Sequence, residues 1–379
     1  MREGKKDDPK MTVLLEEAVN SYTKTYMAGN QALGRNLDAN AMRNHFYRFP
    51  GVDNDKDKTL SAMLRMAVIA QTQERYEKAP VETDEQRAEK AALEGLVKQL
   101  FVELKRDFKP SDLPPYTLVK LGMHLAGTSQ PEESIAYFDE ILDPSEPDPV
   151  RKKARINGMS KYRKNAVFGK AVALGRSKDN AKVDTAIKMM RDELSKEESS
   201  SNPDRKAMED AQYNLVKFTF ARQDWPAVIA AADKYRENKT YKKNLPEVLY
   251  LQGEAYLKQN ELDKALINFM NITGTYKGLV KWSAPAVLAQ MDTLWKRNTM
   301  SQGAGKQPSD RYVAWKAGSQ YVQLLDTPAN RKKMTAEDSA LVNEVKDKTA
   351  KFGSDPAVSQ ERADIAAYEA AVRAAKGQK

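Results

Sequence analysis

Apolar residues along this chain recur at helical spacing. Leu118, Leu121 and Leu125 stand at i, i+3 and i+7, and Ile135, Phe138 and Ile141 recur every third residue, so each set shares one helix face. No run alternates apolar and polar positions convincingly over the length of a strand. The pattern predicts helices over 9–33, 38–48, 57–78, 83–107, 113–127, 131–142, 179–195, 204–222, 225–237, 246–259, 261–276, 283–298, 309–325, 335–351 and 356–376. An all-α fold follows. Prolines punctuate these segments. Pro114, Pro115, Pro226, Pro246 and Pro285 are placed in first turns, where a missing N–H costs nothing. Pro144, Pro147 and Pro149 stop the helix before them. Asp224 and Ser283 are candidate N-caps.

Aligned in pairs, the helices show an internal repeat. One copy carries Leu249, Gly253, Ala255, Tyr256, Leu262, Ala265, Phe269 and Ile272; a second carries Leu118, Leu121, Gly122, Leu125, Ser134, Phe138 and Ile141. A weaker copy has Leu215, Val216, Trp225, Val228 and Ala232. Small residues such as Gly122, Gly253 and Ala265 suit close approach of two helices, and Tyr256 and Phe269 fill the space between successive pairs. The equivalent positions Gly122, Gly169, Val216 and Gly253 lie 47, 47 and 37 residues apart.

The pattern resembles the tetratricopeptide repeat (TPR) family. Leu249, Gly253, Tyr256, Ala265 and Phe269 fall on its positions, as do Leu118, Leu121, Gly122 and Phe138. Gln252 departs from the family's Leu, Ser134 from its small Ala, and Ile272 and Ile141 from its last Ala. The resemblance covers residues 113–299. It implies a right-handed α-solenoid of TPR-like helix pairs. Degenerate helical repeats over 1–112 would precede that core. Helices over 300–379 would cap it, the last bearing Ile365, Tyr368 and Val372. By resemblance, the first (A) helix of each pair lines a concave groove. Groove positions would then include Tyr116, Val119 and Met123; Tyr213, Lys217 and Phe220; and Tyr250, Glu254 and Leu257. Such a mixture suits an extended peptide or a helix of a partner protein. The Lys/Asn arrangement with which chaperone-binding members clamp a C-terminal carboxylate is not in this set.

Charge adds a second candidate surface. Lys plus Arg number 62 and Asp plus Glu 53, a net charge of +9. Residues 150–178 hold ten basic residues, among them Arg151, Lys152, Arg155, Lys161, Arg163, Lys164 and Lys170, and no acid. That segment alone is +10, so the remainder of the chain sums to −1. Two readings stand side by side: a solvated helix face, partly neutralised by Asp184 and Glu193, or a site for an acidic protein, an anionic polymer, a membrane surface or nucleic acid. Tyr162 and Phe168 could stack on bases, but no nucleic-acid-binding signature accompanies them.

Composition argues against common enzyme chemistry. The chain has no cysteine, which removes disulfides, zinc–thiolate sites and thiol catalysis, and it has only two histidines, His45 and His124. Gly303-Ala304-Gly305-Lys306-Gln307 imitates a phosphate loop, but Met300 replaces its first Gly and Gln307 its Ser/Thr. The expectation is a non-enzymatic scaffold without metal or cofactor. The helix-pair style and absent cysteine suggest a bacterial envelope protein, periplasmic or associated with the outer membrane; a cytoplasmic setting is the alternative. The sequence has no stretch apolar enough to span a membrane.

Overall fold

A computed structural model describes residues 9–32, 58–81, 83–303 and 305–377. The predicted helix 38–48 and His45 lie outside the described residues. All regular structure among the described residues is helical. The chain divides into two compact units, 1–190 and 191–379, and the boundary falls inside one helix, α8 (Asn180–Glu198).

The first unit contains α1 (Pro9–Ala32), α2 (Lys58–Lys78), α3 (Asp84–Asp107), α4 (Pro115–Ala126), α5 (Ile135–Leu142), α6 (Pro149–Gly158) and α7 (Arg163–Gly175), and α8 begins there. Most of these helices carry an apolar face and cover it on a neighbour, α6 excepted, which buries no residue. Accordingly α1 packs on α2, α2 on α3, α4 on α5 and on α7, and α5 on α7. Ile69, Phe101, Leu118, Leu121, Phe138 and Ile141 join in one buried cluster. Thr83 opens α3 with a capping box, its hydroxyl accepting from Gln86 N at 3.2 Å while the Gln86 side chain accepts from Thr83 N. The segment predicted as a helix over 131–142 begins as a short 3₁₀ turn at Pro131–Ser134 before α5. In that turn the Ser134 hydroxyl bonds the Pro131 carbonyl at 2.6 Å.

The second unit contains α9 (Arg205–Ala221), α10 (Trp225–Glu237), α11 (Leu245–Lys258), α12 (Leu262–Thr275), α13 (Val280–Arg297), α14 (Asp310–Leu325), the single turn α15 (Pro328–Arg331), α16 (Ala336–Gly353) and α17 (Pro356–Gly377). Every neighbouring pair from α9 to α14 is in contact, and α14 packs on α16. A second set of contacts skips one helix: α9 meets α11 and α11 meets α13. Asp204 and Asp224 cap α9 and α10, accepting from Ala207 N at 3.0 Å and Ala227 N at 3.2 Å. Ser283, expected to cap a helix, lies instead inside α13, which starts at Val280. Its buried hydroxyl bonds the Lys277 carbonyl at 3.1 Å and the Tyr321 hydroxyl at 2.7 Å. Pro285 is likewise inside the helix rather than in its first turn.

The two turns after α9 and α11 are copies. Gln223 and Asn260, 37 residues apart, both adopt left-handed backbone with φ of 57° and 62°. The amide of the following residue then closes onto a carbonyl five residues back: Asp224 N to Thr219 O at 3.1 Å, and Glu261 N to Tyr256 O at 2.9 Å. Gln252, the departure from Leu noted above, is fully buried and fully used. It accepts from Arg236 Nη1 and donates to Asp233 Oδ1, both at 2.7 Å.

Candidate functional site

The groove residues of the second unit come from α9 and α11, which touch each other. Tyr213 and Tyr250 are 37 residues apart, as are Lys217 and Glu254, so equal helical phase puts them on equivalent faces. The Tyr213 hydroxyl donates to Glu247 Oε2 at 2.5 Å, joining α9 to α11. Lys217 Nζ lies 5.2 Å above the Tyr213 ring and 3.8 Å from Glu247 Oε1. Burial raises the Tyr213 phenol, and the Glu247 carboxylate that accepts its proton raises it further.

Tyr250 extends the same face towards α13. Its ring centroid is 5.9 Å from that of Phe269 and 6.4 Å from that of Trp282. Burial, with the neighbouring Glu254 carboxyl, pushes its phenol up to about 12. Glu254 itself is held above the ordinary carboxylate range, first by burial and then by the charge of Asp292 on α13. Asp292 in turn meets Lys348 of α16 at 2.5 Å. Side chains of α9, α11, α13 and α16 are thus linked along one aromatic and carboxylate-bearing face.

Three of the expected groove residues are less available. Val119 is 3% exposed and belongs to the core of the first unit, so it is not a groove residue. Val119 and Met123 stand four residues apart on one side of α4, so phase alone groups them; burial separates them. Phe220 is half-buried against Trp225, edge to face at 5.5 Å, and Leu257 is half-buried beside Tyr256. Met123 remains exposed, and Tyr116 is half-buried with Lys120 Nζ 5.5 Å over its ring. Glu247, Trp282 and Asp292 were missed by sequence reasoning. A signal existed for the first: Asp210 and Glu247 each stand three residues before a repeat tyrosine, on the same helix face.

The basic segment folds as α6 and α7, joined by a 3₁₀ turn at Ser160–Tyr162. Lys152 pairs with Asp143 at 2.6 Å, Arg155 with buried Glu140 at 3.0 Å, Lys161 with Glu17 at 3.5 Å and Lys170 with Asp139 at 2.6 Å. Arg176 donates to the Ala126 carbonyl at 2.5 Å. The carboxylates come mainly from the stretch just before the basic segment. Residues 131–148 hold seven acids and no Lys or Arg. Glu193, expected to neutralise this segment, pairs instead with Lys196.

The imitation phosphate loop lies between α13 and α14. Gly303 and Gly305 have φ of 104° and 79°, and a Cβ on Gly305 would come within 2.5 Å of the Tyr368 ring. Asp310, where α14 starts, is 2% exposed and receives two bonds from Arg297, at 2.8 and 2.6 Å, and one from Thr299 N at 2.8 Å. The end that would have to face a phosphate is therefore occupied by an ion pair. A cavity of about 810 Å³ is lined by this loop and α17, with Met300, Lys306, Ile365 and Tyr368 among its walls. His124 stacks on Phe101 with ring centroids 3.9 Å apart. Among the described residues no three metal-ligating side chains group together, and no helix is long and apolar enough to cross a membrane.

No protein-family model matches the chain, and neither the curated proteins nor the solved structures contain a match.

Proposed function

We propose that this chain is a non-catalytic α-solenoid of the tetratricopeptide type, with right-handed helix pairs, that binds a partner protein along the faces of its A helices. The observation that carries the reading is the 37-residue repeat of geometry and surface chemistry in the second unit. The turns at Gln223 and Asn260 match in backbone and hydrogen bonding. The half-buried tyrosines before them, Tyr213 and Tyr250, match in position. A repeat that preserves only folding would preserve the turn and the core. Here the aromatic on the A-helix face recurs as well, as a surface that reads an extended ligand requires. The skip-one contacts α9–α11 and α11–α13 support the assignment of α9, α11 and α13 as A helices.

A photoreactive residue placed at Lys217 should crosslink a partner in the native host, and one placed at Ile267, exposed on α12, should not. Equal crosslinking from both positions, or from neither, would remove the A-helix face as the binding surface. Tyr213→Ala and Tyr250→Ala should each reduce the yield at Lys217 while the far-ultraviolet circular dichroism stays unchanged.

A further inference from the structure

Charge on the A-helix face of the second unit is unevenly answered. Glu247 has Lys217 at 3.8 Å, and Asp292 has Lys348 at 2.5 Å. Glu254, between them on α11, makes no ion pair among the described residues. It is half-buried beside Tyr250, and Asp292 and Glu254 repel one another. Lys258, one turn further along α11, attracts Glu254 without reversing the effect of burial. Glu344 on α16, exposed, adds negative potential at Tyr250. A half-desolvated carboxylate in such surroundings is stabilised by an incoming cation more than by water.

The adjoining surface is aromatic. Tyr250 and Trp282 stand 6.4 Å apart, and Lys281 already lies 5.4 Å over the Trp282 ring. A guanidinium or ammonium group beside Tyr250 would therefore gain a π face and a carboxylate together.

We infer that the Tyr250–Glu254 position of the second unit receives an arginine or lysine side chain of the partner protein, so the segment bound there is cationic. This rests on the protein-binding reading above and specifies its partner. It reverses the sign of partner that the basic segment suggests: Lys152, Arg155, Lys161 and Lys170 of that segment are paired with carboxylates of their own unit, whereas Glu254 has no ion pair among the described residues.

The test uses two fluorescein-labelled peptides, followed by fluorescence polarisation on the full chain. One alternates arginine with leucine; the other carries neutral citrulline in place of arginine. The arginine peptide should bind the wild-type protein at least about tenfold more tightly, the difference expected for one charge-assisted hydrogen bond. Glu254→Gln should remove that preference, Glu254→Asp should retain part of it, and Glu94→Gln on α3 should leave it intact. Circular dichroism melting checks that Glu254→Gln remains folded. Equal arginine preference in Glu254→Gln would overturn the inference and assign the preference to bulk charge. If Tyr213→Ala and Tyr250→Ala weaken both peptides while Glu254→Gln weakens neither, the groove stands and its cation specificity falls. If the wild-type protein binds neither peptide, the cation site falls, and the crosslinking experiment decides the groove separately.

Discussion

Phe138 shows how a single residue type sets helix spacing here. A Cβ built on Gly122 would lie 2.8 Å from its ring, and one on Gly169 only 2.2 Å, so two helices touch the same ring through bare backbone. Phe269 meets Gly253 in the same way, at 2.6 Å. In both cases glycine precedes phenylalanine by 16 residues. The intervening copy has the sizes exchanged: Val216 and Ala232, again 16 residues apart, are both fully buried in one cluster. The volume is conserved across the helix pair while its location moves. This predicts strong coupling. Gly253→Val alone should cost about 1 to 3 kcal/mol by overpacking, and Phe269→Ala alone about 3 to 5 kcal/mol by opening a cavity. Gly253→Val with Phe269→Ala recreates the Val216/Ala232 solution and should cost clearly less than the two losses added. A double-mutant cycle in urea measures the difference; strict additivity would show that the two sites do not share one volume.

At the scale of elements, helix identity was readable and helix environment was not. Spacing of leucines and the placement of proline located most helices within a few residues. It failed at Ser283 and Pro285, because α13 begins three residues before the serine and the serine's hydroxyl is satisfied by Tyr321 on another helix. No local pattern encodes such a partner. Val119 failed as a groove residue for a related reason: it shares a side of α4 with the exposed Met123, one turn on, and only tertiary packing into the first unit's core buries it. His124 finds its stacking partner, Phe101, on another helix, α3. Burial lowers its pKa from the ordinary 6.5, and the nearby Lys98 lowers it further. The folded state therefore binds this proton more weakly than the unfolded chain does. The stability contribution is complete above the unfolded value of 6.5 and declines as pH falls below it, until the lower folded-state value is passed. His124→Gln cannot titrate. Its melting temperature should fall less than that of the wild-type protein as the buffer is taken from about pH 8 to about pH 5. Parallel curves for the two proteins would show that this imidazole is not desolvated in solution.

For the molecule as a whole, the net charge of +9 had drawn attention to residues 150–178. The acidic stretch at 131–148 gives that excess a structural explanation, since helices adjacent in sequence bring Asp139, Glu140 and Asp143 to Lys170, Arg155 and Lys152. Net charge counted over a window hides this, because the window began where the countercharge ended. Two classes of basic residue follow. Lys152, Arg155 and Lys170 pair with carboxylates of the first unit, and Arg155 in particular faces a Glu140 that is 5% exposed. Arg151, Lys153, Arg163 and Lys178 have no ion pair among the described residues. Arg155→Ala should therefore destabilise the protein by about 1 to 3 kcal/mol, because it leaves the buried Glu140 carboxylate only its two bonds from the Ser145 amide and hydroxyl, at 3.1 and 2.6 Å. Replacing Arg151, Lys153, Arg163 and Lys178 together by Gln should leave the melting temperature within a degree or so, since surface charges without partners contribute little. The same quadruple variant isolates any anion-binding role from folding. On immobilised heparin, its elution should move to lower salt only by the amount expected for four fewer charges, with no loss of a saturable, tight component. Abolition of such a component at unchanged melting temperature would restore the basic segment as a binding site and would require the partner assignment at Glu254 to be weighed against a second, anionic one.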